Sequence, residues 1–278
     1  MTAVSRRDVL GWLGGAALGG VLAGVGGVLA TAEDGHAAKR GGPKLLEPPK
    51  APAWIAHELD PAACLAPAYA GYWQDGLGCC YGVFRAIIGG LGEKYGAPYN
   101  QFPFHMMEVG KSGISEWGTI CGALLGAASA YALFWGRKER DPMVTELFRW
   151  YERTAFPLYD PGAAAQGFKG ALPTHVSGSV LCHVSVSTWC QATGVDAASE
   201  KRSERCSRVT ADVAAKAVEI MNAKIAGSFA PGLTSRAEAA CGACHGKGKV
   251  SPMLKGRMDC TPCHDGGKPL QDKFHNHP

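Results

Sequence analysis

The run Val209-Thr210-Ala211-Asp212-Val213-Ala214-Ala215-Lys216-Ala217-Val218-Glu219-Ile220-Met221-Asn222-Ala223-Lys224-Ile225 places Val209, Val213, Ala217, Ile220, Met221 and Ile225 at three- and four-residue spacing. That period predicts an α-helix with one apolar face. Upstream, Cys80 to Leu91 and Trp117 to Phe134 are apolar runs with small residues. Pro142 is expected at a first helical position, capped by Asp141 and followed by Val144, Leu147, Phe148 and Tyr151. Downstream, Gly227 to Ala239 breaks the period, and the rest of the chain is rich in Gly and Pro without apolar periodicity. Such a tail cannot build its own core and needs a bulky apolar object to fold around. The expected fold is therefore mainly α, a helical cysteine-rich domain over residues 54–226 followed by a small, loop-rich C-terminal domain over 227–278.

The N-terminus reads Ser5-Arg6-Arg7-Asp8-Val9-Leu10, followed by an uncharged run from Gly11 to Ala32. This is the pattern of a twin-arginine export signal over residues 1–32, with Ala30-Thr31-Ala32 as the cleavage site. A retained anchor is the competing reading, since the run is about long enough to span a bilayer. Cleavage would leave a periplasmic protein with no stable membrane span. Residues 33–53, with Gly41-Gly42-Pro43-Lys44 and Glu47-Pro48-Pro49-Lys50, read as a linker. A net charge of +4 with 19% charged residues offers no electrostatic case for binding nucleic acid.

Eleven cysteines are too many for an ordinary reduced protein, and an odd number is not a pure disulfide framework. Four of them form Cys241-Gly242-Ala243-Cys244-His245 and Cys260-Thr261-Pro262-Cys263-His264. Both are C-x-x-C-H, the attachment pattern of haem c. The two-residue gap lets both sulfurs form thioethers to one porphyrin, and the adjacent imidazole becomes the proximal iron ligand. Cys241, Cys244, Cys260 and Cys263 are the expected thioether positions of two haems, with His245 and His264 proximal. Without the histidines the same spacing is that of a four-cysteine zinc site, the competing reading. For the distal positions the first candidates are His275 and His277, then His183 and His175; His105, Met253 and Met258 are also available.

A twin-arginine signal carries proteins that are already folded, whereas haem c is attached after export, so the signal points to a second cofactor. The remaining cysteines are where such a cofactor would sit. Cys80, Cys121-Gly122-Ala123-Leu124-Leu125-Gly126, Cys182 or Cys190, and Cys206 resemble the four-cysteine redox proteins that carry a C-G-A-x-x-G motif. With the two C-x-x-C-H motifs appended, the chain resembles the split-Soret cytochrome c family. That resemblance implies a homodimer, two closely stacked bis-histidine haems per subunit, and an iron–sulfur cluster, 2Fe-2S or 4Fe-4S, in the helical domain. The ligands it implies are Cys80, Cys121, Cys190 and Cys206. Cys182 is the alternative to Cys190, Cys79 adjoins Cys80 and can replace it, and Cys64 is a spare buried thiol. The expected function is electron transfer between a redox protein donor and acceptor. An enzyme with an open axial haem site and a zinc-stabilised exported binding protein are the rivals.

Overall fold

The computed structural model describes residues 54–234, 242–250 and 256–259. Its helices are α1 (Leu65–Trp73), α2 (Gly78–Phe84), α3 (Gly90–Tyr95), α4 (Gly122–Ala132), α5 (Arg137–Arg153), α6 (Cys182–Thr193) and α7 (Glu200–Ile225). Two short strands, β1 (Ala155–Phe156) and β2 (His175–Val176), pair antiparallel. The protein is mainly α-helical, as the sequence pattern requires. The signal segment and the linker lie outside the described residues, and among the described residues no helix is long and apolar enough to cross a membrane.

Helix α7 is the axis of the fold and packs against α1, α2, α4 and α5. Ser199 caps it, its hydroxyl accepting from the Arg202 backbone N–H at 3.2 Å. The expected face is buried at Val209, Val213, Ala217, Ile220 and Met221. The opposite side is buried too, at Glu204, Arg208 and Asp212. Charge can lie inside because it is paired: Arg208 Nε donates to Glu204 Oε1 at 2.8 Å, and the backbone N–H groups of Leu158 and Tyr159 each donate to Asp212 at 2.8 Å.

Between α2 and α3 a π-helical turn, Arg85–Gly89, keeps the run continuous. It carries Ile87 and Ile88, fully buried with Leu91, into the core. The apolar run from Trp117 becomes helix only at Gly122. Before it lies a left-handed stretch in which Ser112, Ile114, Ser115 and Glu116 have φ of 52°, 61°, 47° and 69°. It is held by backbone bonds from Gly118 N to Ser112 O and from Thr119 N to Gly113 O, both 3.1 Å. The expectation for Pro142 fails: α5 begins five residues before it, at Arg137, with Pro142 inside the helix. Arg137 pairs with Asp141 one turn on, at 3.3 Å, so Asp141 is spent as an ion-pair partner and not as a cap.

Burial raises the Asp212 carboxyl from 3.8 to about 6, against the opposing pull of its two N–H donors and of Arg205 and Arg208. The folded state therefore holds this proton more tightly than the unfolded chain. Its contribution is full below pH ~4 and is lost as pH rises through about 6, at a cost of up to about 3 kcal/mol. Asp212→Asn should flatten that slope in urea unfolding between pH 4 and 7, while costing about 1–3 kcal/mol because its amide nitrogen meets a backbone N–H.

Candidate metal centre and haem tail

Three of the scattered cysteines sit where helices start. Cys79 is the second residue of α2, Cys121 is the N-cap of α4, and Cys182 is the first residue of α6. Cys206 lies in the second turn of α7. The four thiols Cys79, Cys121, Cys182 and Cys206 line one small cavity of about 20 Å³, closed by Ala123, Tyr151, Ser185, Val186, Arg205 and Val209. Among the described residues no three His, Cys, Asp or Glu side chains already stand at metal-binding distance. The thiols thus surround a space and have one rotatable bond each with which to close on it. On the outer side, Cys79, Cys182 and Cys206 also border an open cavity of about 540 Å³, with Tyr72, Lys111, His183 and Arg202 on its walls.

The C-G-A-x-x-G motif builds this arrangement by permitting close approach. A Cβ on Gly122 would stand 2.3 Å from the Gly110 carbonyl oxygen and 2.5 Å from Cys79 Sγ. One on Gly126 would stand 2.5 Å from the Cys80 carbonyl oxygen. Both glycines let α4 lie directly on α2, which sets Cys121 beside Cys79. Gly126→Ala must therefore push the two helices apart, costing about 1–3 kcal/mol in thermal or urea unfolding.

Burial pushes the Cys79 and Cys121 thiols upward, and Cys182 to about 12, with the neighbouring thiols adding to the effect. For Cys121 a hydrogen bond with Tyr151 and one with the Ala123 backbone oppose it. Buried thiols such as Cys79, Cys121 and Cys182 hold their protons unless a cation replaces them, which is the behaviour of metal ligands before loading.

Two of the expected ligands stand elsewhere. Cys80 is fully buried but does not line the cavity; a Cβ on Gly110 would stand 2.5 Å from its Sγ. Successive residues on a helix point about 100° apart, so Cys79 faces the cavity where Cys80 does not. Cys190 packs with Leu172 and Trp189 in a separate small core. Eight residues beyond Cys182, it lies about 12 Å further along α6. Cys64 is buried apart, its thiol 4.0 Å from the Ala86 carbonyl oxygen. His183 is on the cavity rim, its Nδ1–H donating to the Gly118 carbonyl at 2.9 Å, which leaves Nε2 as the lone-pair nitrogen of the neutral ring. His175 is in β2, half-buried, and His105 is exposed beside Glu108 at 4.0 Å.

Sequence reasoning missed Tyr151, Ser185 and Arg205. Arg205 and Ser207 flank Cys206, and Arg205 is four residues before Val209, on the line of the apolar face. A charge on that line was the available signal. Its Nη2 donates to Ser185 Oγ at 2.9 Å, and Ser185 Oγ is 2.7 Å from the Tyr151 hydroxyl.

Of the tail, Cys244 is exposed and His245 half-buried. Cys241, Cys260, Cys263, His264, His275 and His277 lie outside the described residues. Residues 256–259 of the tail run beside α5: Arg257 Nη1 donates to Thr145 Oγ1 at 3.1 Å, the Asp259 backbone to Glu152 at 3.4 Å, and Arg149 to the Arg257 carbonyl.

Residues 79–220 match a family described as a putative redox-active protein with the pattern C_GCAxxG_C_C, and the match begins at Cys79. Over 279 aligned positions the chain is 53% identical to the split-Soret cytochrome c of Desulfovibrio desulfuricans, covering 99% of both chains. This chain belongs to the split-Soret cytochrome c family. A solved structure described as showing a novel iron centre in the split-Soret cytochrome c of that organism superposes with a TM-score of 0.78 at 56% identity. It covers 82% of this chain and 97% of its own. The family is one of redox cytochromes, which excludes the zinc-stabilised binding protein as a description of the class.

Proposed function

We propose that this split-Soret family member is an exported electron carrier with two haems c on its C-terminal tail and one iron–sulfur centre in the four-thiol cavity. The observation that carries the second cofactor is the gathering of Cys79, Cys121, Cys182 and Cys206 around one dry cavity. The donor set fits: four thiolates suit a 2Fe-2S or a 4Fe-4S centre. Cys79 takes the place expected of Cys80, and Cys182 that expected of Cys190. The haems rest on the two C-x-x-C-H motifs, whose starts at 241 and 260 are 19 residues apart. Thioethers come from Cys241, Cys244, Cys260 and Cys263, and proximal imidazoles from His245 and His264.

His275 and His277 remain the candidate distal ligands, with His183 the alternative. Supporting His183 is its Nδ1–H, fixed by the Gly118 carbonyl as a ligating histidine usually is by an outer partner. When bound, haem iron and the iron–sulfur centre each supply a one-electron couple. The protein's own part is to exclude water through Tyr151, Val186 and Val209, and to fix charge beside the thiols. The same reading takes residues 1–32 as a twin-arginine signal, 33–53 as linker, 54–226 as the iron-centre domain and 227–278 as the dihaem domain. It also places the protein in the periplasm as a homodimer between a redox donor and acceptor.

Intact mass of the mature protein should show two added porphyrins, and the reduced spectrum should not change with carbon monoxide. A colourless protein without a mass increment overturns the haem assignment, and a carbon monoxide shift favours the enzyme with an open axial site.

A further inference from the structure

Arg205 is 2% exposed, yet among the described residues no carboxylate stands within salt-bridge distance of it. Its Nη2 donates to Ser185 Oγ at 2.9 Å, the Cys206 thiol lies near it, and its Nε has no partner among the described residues. A guanidinium in a dry interior costs several kcal/mol unless opposite charge faces it. The groups that face it are Tyr151, Cys206 and Cys121, along with the more distant Asp212. The protein alone thus leaves a buried cation and one N–H unmatched, at the wall of the cavity that four thiols line.

We propose that Arg205 is a positioning residue for the iron–sulfur centre, its Nε–H donating to a sulfur of the loaded site and its fixed charge stabilising the reduced form. This inference rests on the iron–sulfur reading above. The four thiols release their protons when iron binds, and the thiolates supply the negative charge that Arg205 lacks. Adding an electron makes the site more negative, so a fixed cation beside it raises the reduction potential. Arg202, half-buried on the open cavity by Cys206 and donating from Nε to the Ala197 carbonyl at 2.7 Å, is the natural control, because solvent screens it.

The test is a redox titration of the anaerobically purified full-length protein, followed by electron paramagnetic resonance, with iron and acid-labile sulfide measured on each sample. Arg205→Gln should load normally and show a reduction equilibrium about tenfold less favourable, about 59 mV lower for a one-electron couple. Arg205→Lys, which keeps the charge, should stay within about threefold of the parent, and Arg202→Gln should move less than Arg205→Gln. If Arg205→Gln loads and its potential equals the parent's, Arg205 is structural only and the proposal is overturned. If the Arg205 variants do not accumulate, protein with arginine labelled by nitrogen-15 in the guanidinium decides. Its reduced centre should show a coupled guanidinium nitrogen in pulsed resonance that persists in the Arg202→Gln variant, and no such coupling overturns the proposal. A parent protein without labile sulfide would instead overturn the iron–sulfur reading on which this inference stands.

Discussion

Cys121→Ser should abolish the iron–sulfur resonance and the labile sulfide while leaving haem content unchanged. The expected loss is nearly complete, because Cys121 is the thiol that α4 delivers to the innermost side of the cavity and is absent from the lining of the open one. Serine keeps the shape but offers a much weaker ligand for iron. The two C-x-x-C-H motifs lie more than a hundred positions further along the chain, so haem attachment provides an internal control. Cys79→Ser and Cys182→Ser should behave like Cys121→Ser. Cys80→Ser and Cys190→Ser should keep the centre, and loss of the resonance in either would reverse the ligand assignment. Loss of haem on Cys121→Ser would instead join the two cofactor regions into one.

Glu204→Ala should be the most damaging substitution away from the cofactors. Glu204 is fully buried, accepts from Arg208 Nε at 2.8 Å and the Tyr69 hydroxyl at 2.8 Å, and takes the Gly167 backbone N–H at 3.0 Å. Arg208 in turn donates to the carbonyls of Phe168 and Gly170, so the pair ties the loop over residues 166–170 to α7. Removing the carboxylate leaves Arg208 buried with, among the described residues, one ion pair, to the half-exposed Asp160 3.3 Å away. Breaking one side of a buried pair costs about 3–5 kcal/mol. Urea unfolding should show that loss, and Glu204→Ala/Arg208→Met should recover part of it, since no uncompensated charge then remains.

The apolar face of α7 was plain in the sequence because burial along a long helix imposes a period that needs no tertiary information. The haem motifs were plain because the attachment chemistry itself fixes the spacing. The choice between Cys79 and Cys80 was not, because adjacent residues differ only in which side of a helix they face. That depends on where α2 begins and on which side α4 lies. The choice between Cys182 and Cys190 stayed open for a related reason: it turns on α6 starting at Cys182, and nothing local marks that start. There the fixing contact is tertiary, the Cys182 backbone N–H bonding to the Thr119 carbonyl at 2.6 Å. Arg205, Tyr151 and Ser185 were silent because each is ordinary in its own segment and acquires meaning only from the cavity they share.

The most direct measurement is anomalous diffraction at the iron edge from crystals grown without oxygen. Iron density among Cys79, Cys121, Cys182 and Cys206, besides the two haem irons, is the result expected. Haem irons alone, or iron held by Cys80 or Cys190, would contradict the assignment of those four thiols.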